Sequence, residues 1–311
     1  MKKINLCLLF AFFLASCSKD PKIDNSMLES GLFYDQSLYQ PENYLVSASK
    51  PNPTAAELLK PVIIAIHGYS ATTFEWSEFN TWAGNRTDFL ISRVLLGGHG
   101  RDYQSFKDAS WKDWQKPIIE EFEKLESKGY KNISFAGSST GSTLILEMLA
   151  NGYFDNHIKP KHFFLVDPIV IPSNKMLALA NVVGPIIGYT ESENTEGEEK
   201  YYYHYRPHET LEQLREITNK VRRDLEKGIK LPQNSTLKVF KSEKDDVADP
   251  VSAVLIYKGL KTSGGGLINV SMVESNLHVY TRLDFRSVAP SAKDLQNQKD
   301  TFTEIANSLV E

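Results

Sequence analysis

The sequence predicts a doubly wound α/β fold on a mostly parallel sheet, and three observations carry that expectation. Short runs rich in β-branched and aromatic residues are apolar on both faces, as strands covered on both sides must be. They are Val62 to Ile66, Phe89 to Leu96, Ile133 to Ala136, Phe163 to Val166, Leu237 to Phe240 and Leu267 to Val270. Segments of helical spacing separate several of them, which gives strand, helix, strand order. The residues directly after the runs are polar or glycine, at the ends where open parallel sheets receive ligands.

Taken in order, the first clear helix carries Trp111, Trp114, Ile118, Phe122 and Leu125 on one face and meets Gly129 as a stop. Others are expected from about Ser142 to near Gly152, from about Glu209 to Lys227, and around Phe302, Ile305 and Leu309. The interval from Pro172 to Pro232 is too long for one crossover helix and reads as a small helical cap, about 172–232. It holds the apolar segment Met176 to Ile187, an acidic stretch from Glu191 to Glu199 that reads as a solvated loop, and the cluster Tyr201-Tyr202-Tyr203-His204-Tyr205. The apolar segment and the aromatic cluster serve either as a pocket for acyl chains or as the cap's own core. With 311 residues, 41% hydrophobic and 24% charged, the chain suits one domain over 31–311. A net charge of -4 offers no basic face, so no nucleic-acid partner is expected.

The chain opens with Lys2 and Lys3, an apolar run from Leu6 to Leu14, then Ala15 and Ser16. This pattern is a targeting signal, expected over 1–16, and is too short to span a bilayer as a permanent helix. Its end, Leu14-Ala15-Ser16-Cys17, resembles a bacterial lipobox. That resemblance implies cleavage before Cys17, a diacylglycerol on its thiol, and a lipid-anchored protein of the bacterial cell envelope, at the outer membrane, with 17–30 as the lipidated cysteine and polar tether. The only other cysteine, Cys7, lies in the segment to be removed, so Cys17 has no disulfide partner.

Gly137-Ser138-Ser139-Thr140-Gly141 fits G-x-S-x-G, in which a serine sits on a strained turn between a strand and a helix. The pattern alone is common. Here it directly follows a β-rich run and opens a helix-forming segment, as the motif requires. A side chain at either glycine would strike the neighbouring strand or helix. A serine nucleophile needs a base and the base an orienting carboxylate, in the order Ser, Asp, His. Asp245 and Asp246 follow the fifth run, and His278 follows the sixth by a short loop. Of the seven histidines, His278 alone has that placement.

Four blocks then resemble the bacterial carboxylesterase and monoacylglycerol lipase group of α/β hydrolases, over most of 60–285. Ile64-Ala65-Ile66-His67-Gly68-Tyr69 resembles the strand and oxyanion turn, and Gly98-His99-Gly100 with Trp111-Lys112-Asp113-Trp114 the following loop and helix. Asp245-Asp246-Val247-Ala248-Asp249-Pro250 resembles the acid loop, and Ser275-Asn276-Leu277-His278-Val279 the histidine loop with one extra residue. The resemblance implies an α/β-hydrolase fold with the cap inserted before the strand leading to the acid. It also implies a Ser139, Asp245, His278 triad and backbone oxyanion donors at Tyr69 and Thr140. Alignment on Pro250 and Ser252-Ala253 favours Asp245 as the acid over Asp246. His67 is expected to be structural. Ser142 stands where many members carry glycine, the glycine often found after the oxyanion turn is missing, and 286–300 reads as an insertion.

No metal-ligand spacing and no phosphate-binding glycine loop occurs, so neither metal nor cofactor is expected. Gly264-Gly265-Gly266 reads as a flexible turn. The expected activity is hydrolysis of a carboxylic ester, with a small ester or an acyl-chain lipid as substrate. Two other readings stay open: an inactive envelope lipoprotein that binds a ligand in its capped cavity, and an amidase, peptidase or carbohydrate deacetylase of the same fold.

Overall fold

The computed structural model describes residues 36–173 and 188–311. The leader, Cys17, the tether and the whole Met176 to Ile187 segment lie outside the described residues.

Six strands form the main sheet: β1 (Val62–Ile66), β2 (Leu90–Val94), β3 (Ile133–Ser138), β4 (His162–Val166), β5 (Thr236–Ser242) and β6 (Asn269–Val273). Their order is β6-β5-β4-β3-β1-β2, and every neighbouring pair is parallel. All five residues of β1 are buried, and their period-two alternation splits them between two cores. Val62, Ile64 and Ile66 enter one apolar layer, Ile63 and Ala65 the other.

The larger layer is covered by α1 (Trp111–Lys128), α2 (Thr140–Ala150), α3 (His208–Lys227) and α4 (Val251–Gly259). The other is covered by Trp76, Phe79 and α5 (Ala292–Val310), through Phe302, Ile305 and Leu309. Helices on both faces of a parallel sheet define the doubly wound class expected from the strand runs. α1 begins at a reciprocal capping box between Ser110 and Asp113 and ends at Gly129, whose φ of 98° terminates it.

Two boundaries differ from expectation. The sixth strand lies at 269–273, where pairing of Asn269 with Lys238 through Val273 with Ser242 fixes its register. Leu267, read as its start, is 56% exposed. On an edge strand the apolar run is a poor guide, because one side has no neighbour to demand burial. α3 is not cap. It buries Leu214, Ile217, Val221 and Leu225 in the layer shared with α2 and α4, and so serves as the crossover between β4 and β5. Among the described residues, the part of 172–232 that stands over the strand ends is 188–207. It contains a short antiparallel pair, Tyr189–Glu191 with Tyr205–Pro207.

Candidate active site

The strand order reverses between β1 and β3, and the residues past their carboxyl ends meet there. β3 delivers Ser139, whose φ of 48° and ψ of -117° are a conformation L-residues rarely adopt. The turn is over-determined. Ser139 N donates to Val166 O at 3.0 Å, and Ser142 Oγ, in the position where glycine is frequent, donates to Gly137 O at 2.6 Å. A Cβ at Gly141 would lie 2.4 Å from Ile66 O, and one at Gly137 would lie 2.6 Å from Ser142 N. The two glycines therefore allow the helix to start directly against β1.

The histidine loop after β6 brings His278 Nε2 to 2.8 Å from Ser139 Oγ, and its Nδ1 to 2.8 Å from Asp245 Oδ2. Asp245 Oδ1 accepts from Val247 N at 2.8 Å and Ala248 N at 3.0 Å, while Oδ2 also accepts from Lys241 Nζ at 2.5 Å. Burial alone would raise this carboxyl. His278 and Lys241 outweigh it, and the acid is held well below the usual carboxylate range. The structure thus joins Ser139, His278 and Asp245 in one hydrogen-bonded chain. Asp246, the alternative, is exposed and lines the cavity rim instead.

Thr140 is the first residue of α2, so its N–H has no partner within the helix. Tyr69 N likewise has no acceptor among the described residues, and both residues line the cavity with Ser139. The Tyr69 side chain points elsewhere, its hydroxyl 2.5 Å from Thr210 Oγ1. His67 has a structural task. Leu96 N donates to its Nε2 at 3.0 Å, which leaves Nδ1 as the donor to Gly68 O at 2.8 Å. Burial, then the neighbouring His99, drives its pKa well below the usual histidine value, so the ring is neutral.

Several residues around the site had not been anticipated. Lys241, with no exposed surface, bridges Asp245 and Asp167, at 3.1 Å from Asp167 Oδ1. Asp167 follows β4 with φ of 45° and also accepts from Ser242 N at 2.7 Å. Asp167, Asp245 and His278 stand close enough to suggest a metal site, but the cation among them is the Lys241 ammonium. Glu75 accepts from Gly68 N at 2.7 Å and from Ser138 Oγ, tying the oxyanion turn to the elbow. Arg286, from the apparent insertion, donates to His278 O at 2.6 Å and Val279 O at 3.0 Å, bracing the histidine loop. Asp167 was within reach of the strand-end rule; the others needed tertiary structure.

Over Ser139 lies a cavity of roughly 460 Å³. Its walls come from the oxyanion turn, the histidine loop and 188–207. Within the tyrosine cluster the roles divide. Tyr203 is buried, stacks on Phe106 at 4.1 Å and accepts and donates hydrogen bonds at the Gly98 to Arg101 loop. Tyr201 stacks on Phe74 at 3.8 Å, and Tyr202 faces the cavity.

A sheet of this order with an elbow serine, an acid after the next-to-last strand and a histidine after the last is the α/β-hydrolase fold. No family model and no curated protein matches the sequence. Solved structures match the fold. The chain is similar to a structure of the metagenome-derived lipolytic enzymes LipS and LipT, at 18% identity, with a TM-score of 0.61 over 80% of this chain and 94% of that one. It is similar to the monoacylglycerol lipase of Paleococcus ferrophilus, at 14% identity and a TM-score of 0.57 over 81% of this chain and 95% of that one. A soluble variant of Saccharomyces cerevisiae monoglyceride lipase gives 11% identity and a TM-score of 0.61, over 83% and 88% of the two chains. At these identities the likeness establishes the fold alone.

Proposed function

We propose that this chain is a serine carboxylic-ester hydrolase, held at a bacterial cell envelope by lipid on Cys17. The observation that carries the enzymatic reading is the unbroken relay from Ser139 Oγ through the His278 imidazole to the Asp245 carboxylate, on the floor of a cavity. With Nδ1–H donating to Asp245, His278 presents a basic Nε2 to the serine hydroxyl.

In the first step Ser139 Oγ bonds to the ester carbonyl carbon as its proton passes to His278 Nε2. The carbonyl oxygen becomes an oxyanion facing the N–H groups of Tyr69 and Thr140, where loss of one donor costs about 3 kcal/mol of barrier. The imidazolium, stabilised by ionised Asp245, protonates the departing alkoxide. Water then gives a proton to His278 and attacks the acyl-enzyme carbonyl. Collapse releases the acid and returns the proton to Ser139.

A series of p-nitrophenyl esters from acetyl to palmitoyl tests this, with Ser139→Ala as control and a fluorophosphonate probe read by mass at Ser139. Absence of turnover above the control at every chain length sinks the esterase reading. The anchor is tested separately: Cys17→Ala should lose incorporation of labelled palmitate and leave the membrane fraction.

A further inference from the structure

We propose that the cavity selects an ester bearing a carboxylate group, received by the guanidinium groups of Arg206 and Arg286. This rests on the serine hydrolase reading of the same site and names its substrate class.

Three arginines line the cavity with Ser139 and His278, and they are not equivalent. Arg282 is neutralised, its Nη1 2.6 Å from Glu198 Oε1. Arg206 has no ion pair among the described residues. Its Nη2 donates to Ser192 Oγ at 2.8 Å, and its Nε is buried with no acceptor among the described residues. Arg286 is satisfied only in part and only by carbonyls, through Nε to Arg282 O at 3.0 Å and Nη2 to His278 O and Val279 O. Its Nη1 has no partner among the described residues.

The carboxylates nearby do not complete these two groups. Glu75 is held by Gly68 N and Ser138 Oγ, Glu198 serves Arg282, and Glu193 and Asp246 sit exposed at the rim. Burial pushes the pKa of both arginines down, and for Arg286 the adjacent Arg282 adds to it. Glu198, and for Arg286 also Glu75, offset this only in part, as expected of cations taken out of water with no carboxylate in direct contact. A cation in this state, lining a walled cavity, is complete only when an anion enters. The planar fork of a guanidinium matches a carboxylate in two parallel hydrogen bonds. An acyl chain would leave these donors unused, and a neutral hydroxyl would accept from them without supplying the missing charge.

The test compares three esters of similar size: p-nitrophenyl butyrate, mono-p-nitrophenyl glutarate with its carboxylate on the acid half, and 4-butyryloxybenzoate with it on the alcohol half. Wild type should favour one charged ester over the neutral one, through KM. In Arg206→Gln that preference should fall by about tenfold, as loss of one charge-assisted contact implies, with Arg206→Lys recovering part of it. Arg286→Gln is the second variant, and circular dichroism checks that each folds. Independently, glutarate titrated calorimetrically into Ser139→Ala should bind, and should bind more weakly once Arg206 is Gln. Hydrolysis of all three esters without preference, together with no glutarate binding, overturns the carboxylate site and leaves the hydrolase standing. Arginine-dependent glutarate binding with no hydrolysis of any ester supports the site and overturns the hydrolase.

Discussion

Lys241 and His278 donate to the same atom, the lysine Nζ standing 2.5 Å and the imidazole Nδ1 2.8 Å from Asp245 Oδ2. The Asp245 carboxylate is therefore shared between an imidazole at the cavity and an ammonium with no exposed surface, which in turn holds Asp167. This arrangement sets two buried carboxylates against one buried ammonium, so a positive charge forming on His278 in the proposed reaction would meet a net negative site. Lys241 acts through Asp245 and is a positioning residue.

Replacement of Lys241 by Met would leave Asp167 and Asp245 buried without their shared cation. Breaking a buried pair from one side costs about 3–5 kcal/mol, and that loss is expected in denaturant unfolding. The double variant with Asp167→Asn removes the second charge and should recover part of it, because the two sites couple directly. Ester turnover should fall in the single variant at temperatures where it remains folded.

The neighbouring aspartates give a sharper contrast. Asp245→Asn keeps the shape of the acid but loses its charge, and in a relay of this kind kcat drops about 10⁴-fold. Asp246 is exposed at the rim, and a surface substitution shifts free energies by about 0.5 kcal/mol or less, roughly a twofold change in rate. Equal losses in the two variants would contradict the assignment of Asp245.

The elbow predicts a different signature. A Cβ at Gly141 would come within 2.4 Å of Ile66 O, a backbone atom of an interior strand held between two neighbours. Gly141→Ala should destabilise the protein by about 1–3 kcal/mol, as overpacking does. It should also lower kcat more than it raises KM, since the shift is passed directly to Ser139. Unfolding curves and steady-state kinetics on one preparation separate the two effects.

Ser139, Asp245 and His278 were legible in the sequence because each lies just past a strand, and apolar runs mark strand ends well in a buried parallel sheet. Asp167 has the same position after β4 and obeys the same rule. Lys241 was hidden by it. It sits within β5, where a charged residue reads as pointing to water, and only the packing of Asp167 and Asp245 against it makes burial tolerable. α3 was assigned to the cap because its interval is long, yet Leu214, Ile217, Val221 and Leu225 carry the helical spacing of a core face. Arg206, Arg286 and Glu75 come from three remote segments, and no local pattern connects them.

His99 makes stability depend on pH in a predictable direction. It is fully buried against Phe106 and Trp114, its Nε2 has no acceptor among the described residues, and burial lowers its pKa to about 4. The unfolded chain would take up a proton near pH 6.5, which the folded state refuses until about 4. Between those values the unfolded state binds more protons, so stability is full above about pH 6.5 and declines as pH falls, by about 3 kcal/mol at most from this residue. His67 pulls the same way. His99→Gln, whose amide can still donate to Gly97 O, removes the proton uptake. Its unfolding midpoint should fall less steeply between pH 7 and 4.5 than that of wild type, and parallel profiles for the two proteins would show that His99 is not the group being titrated.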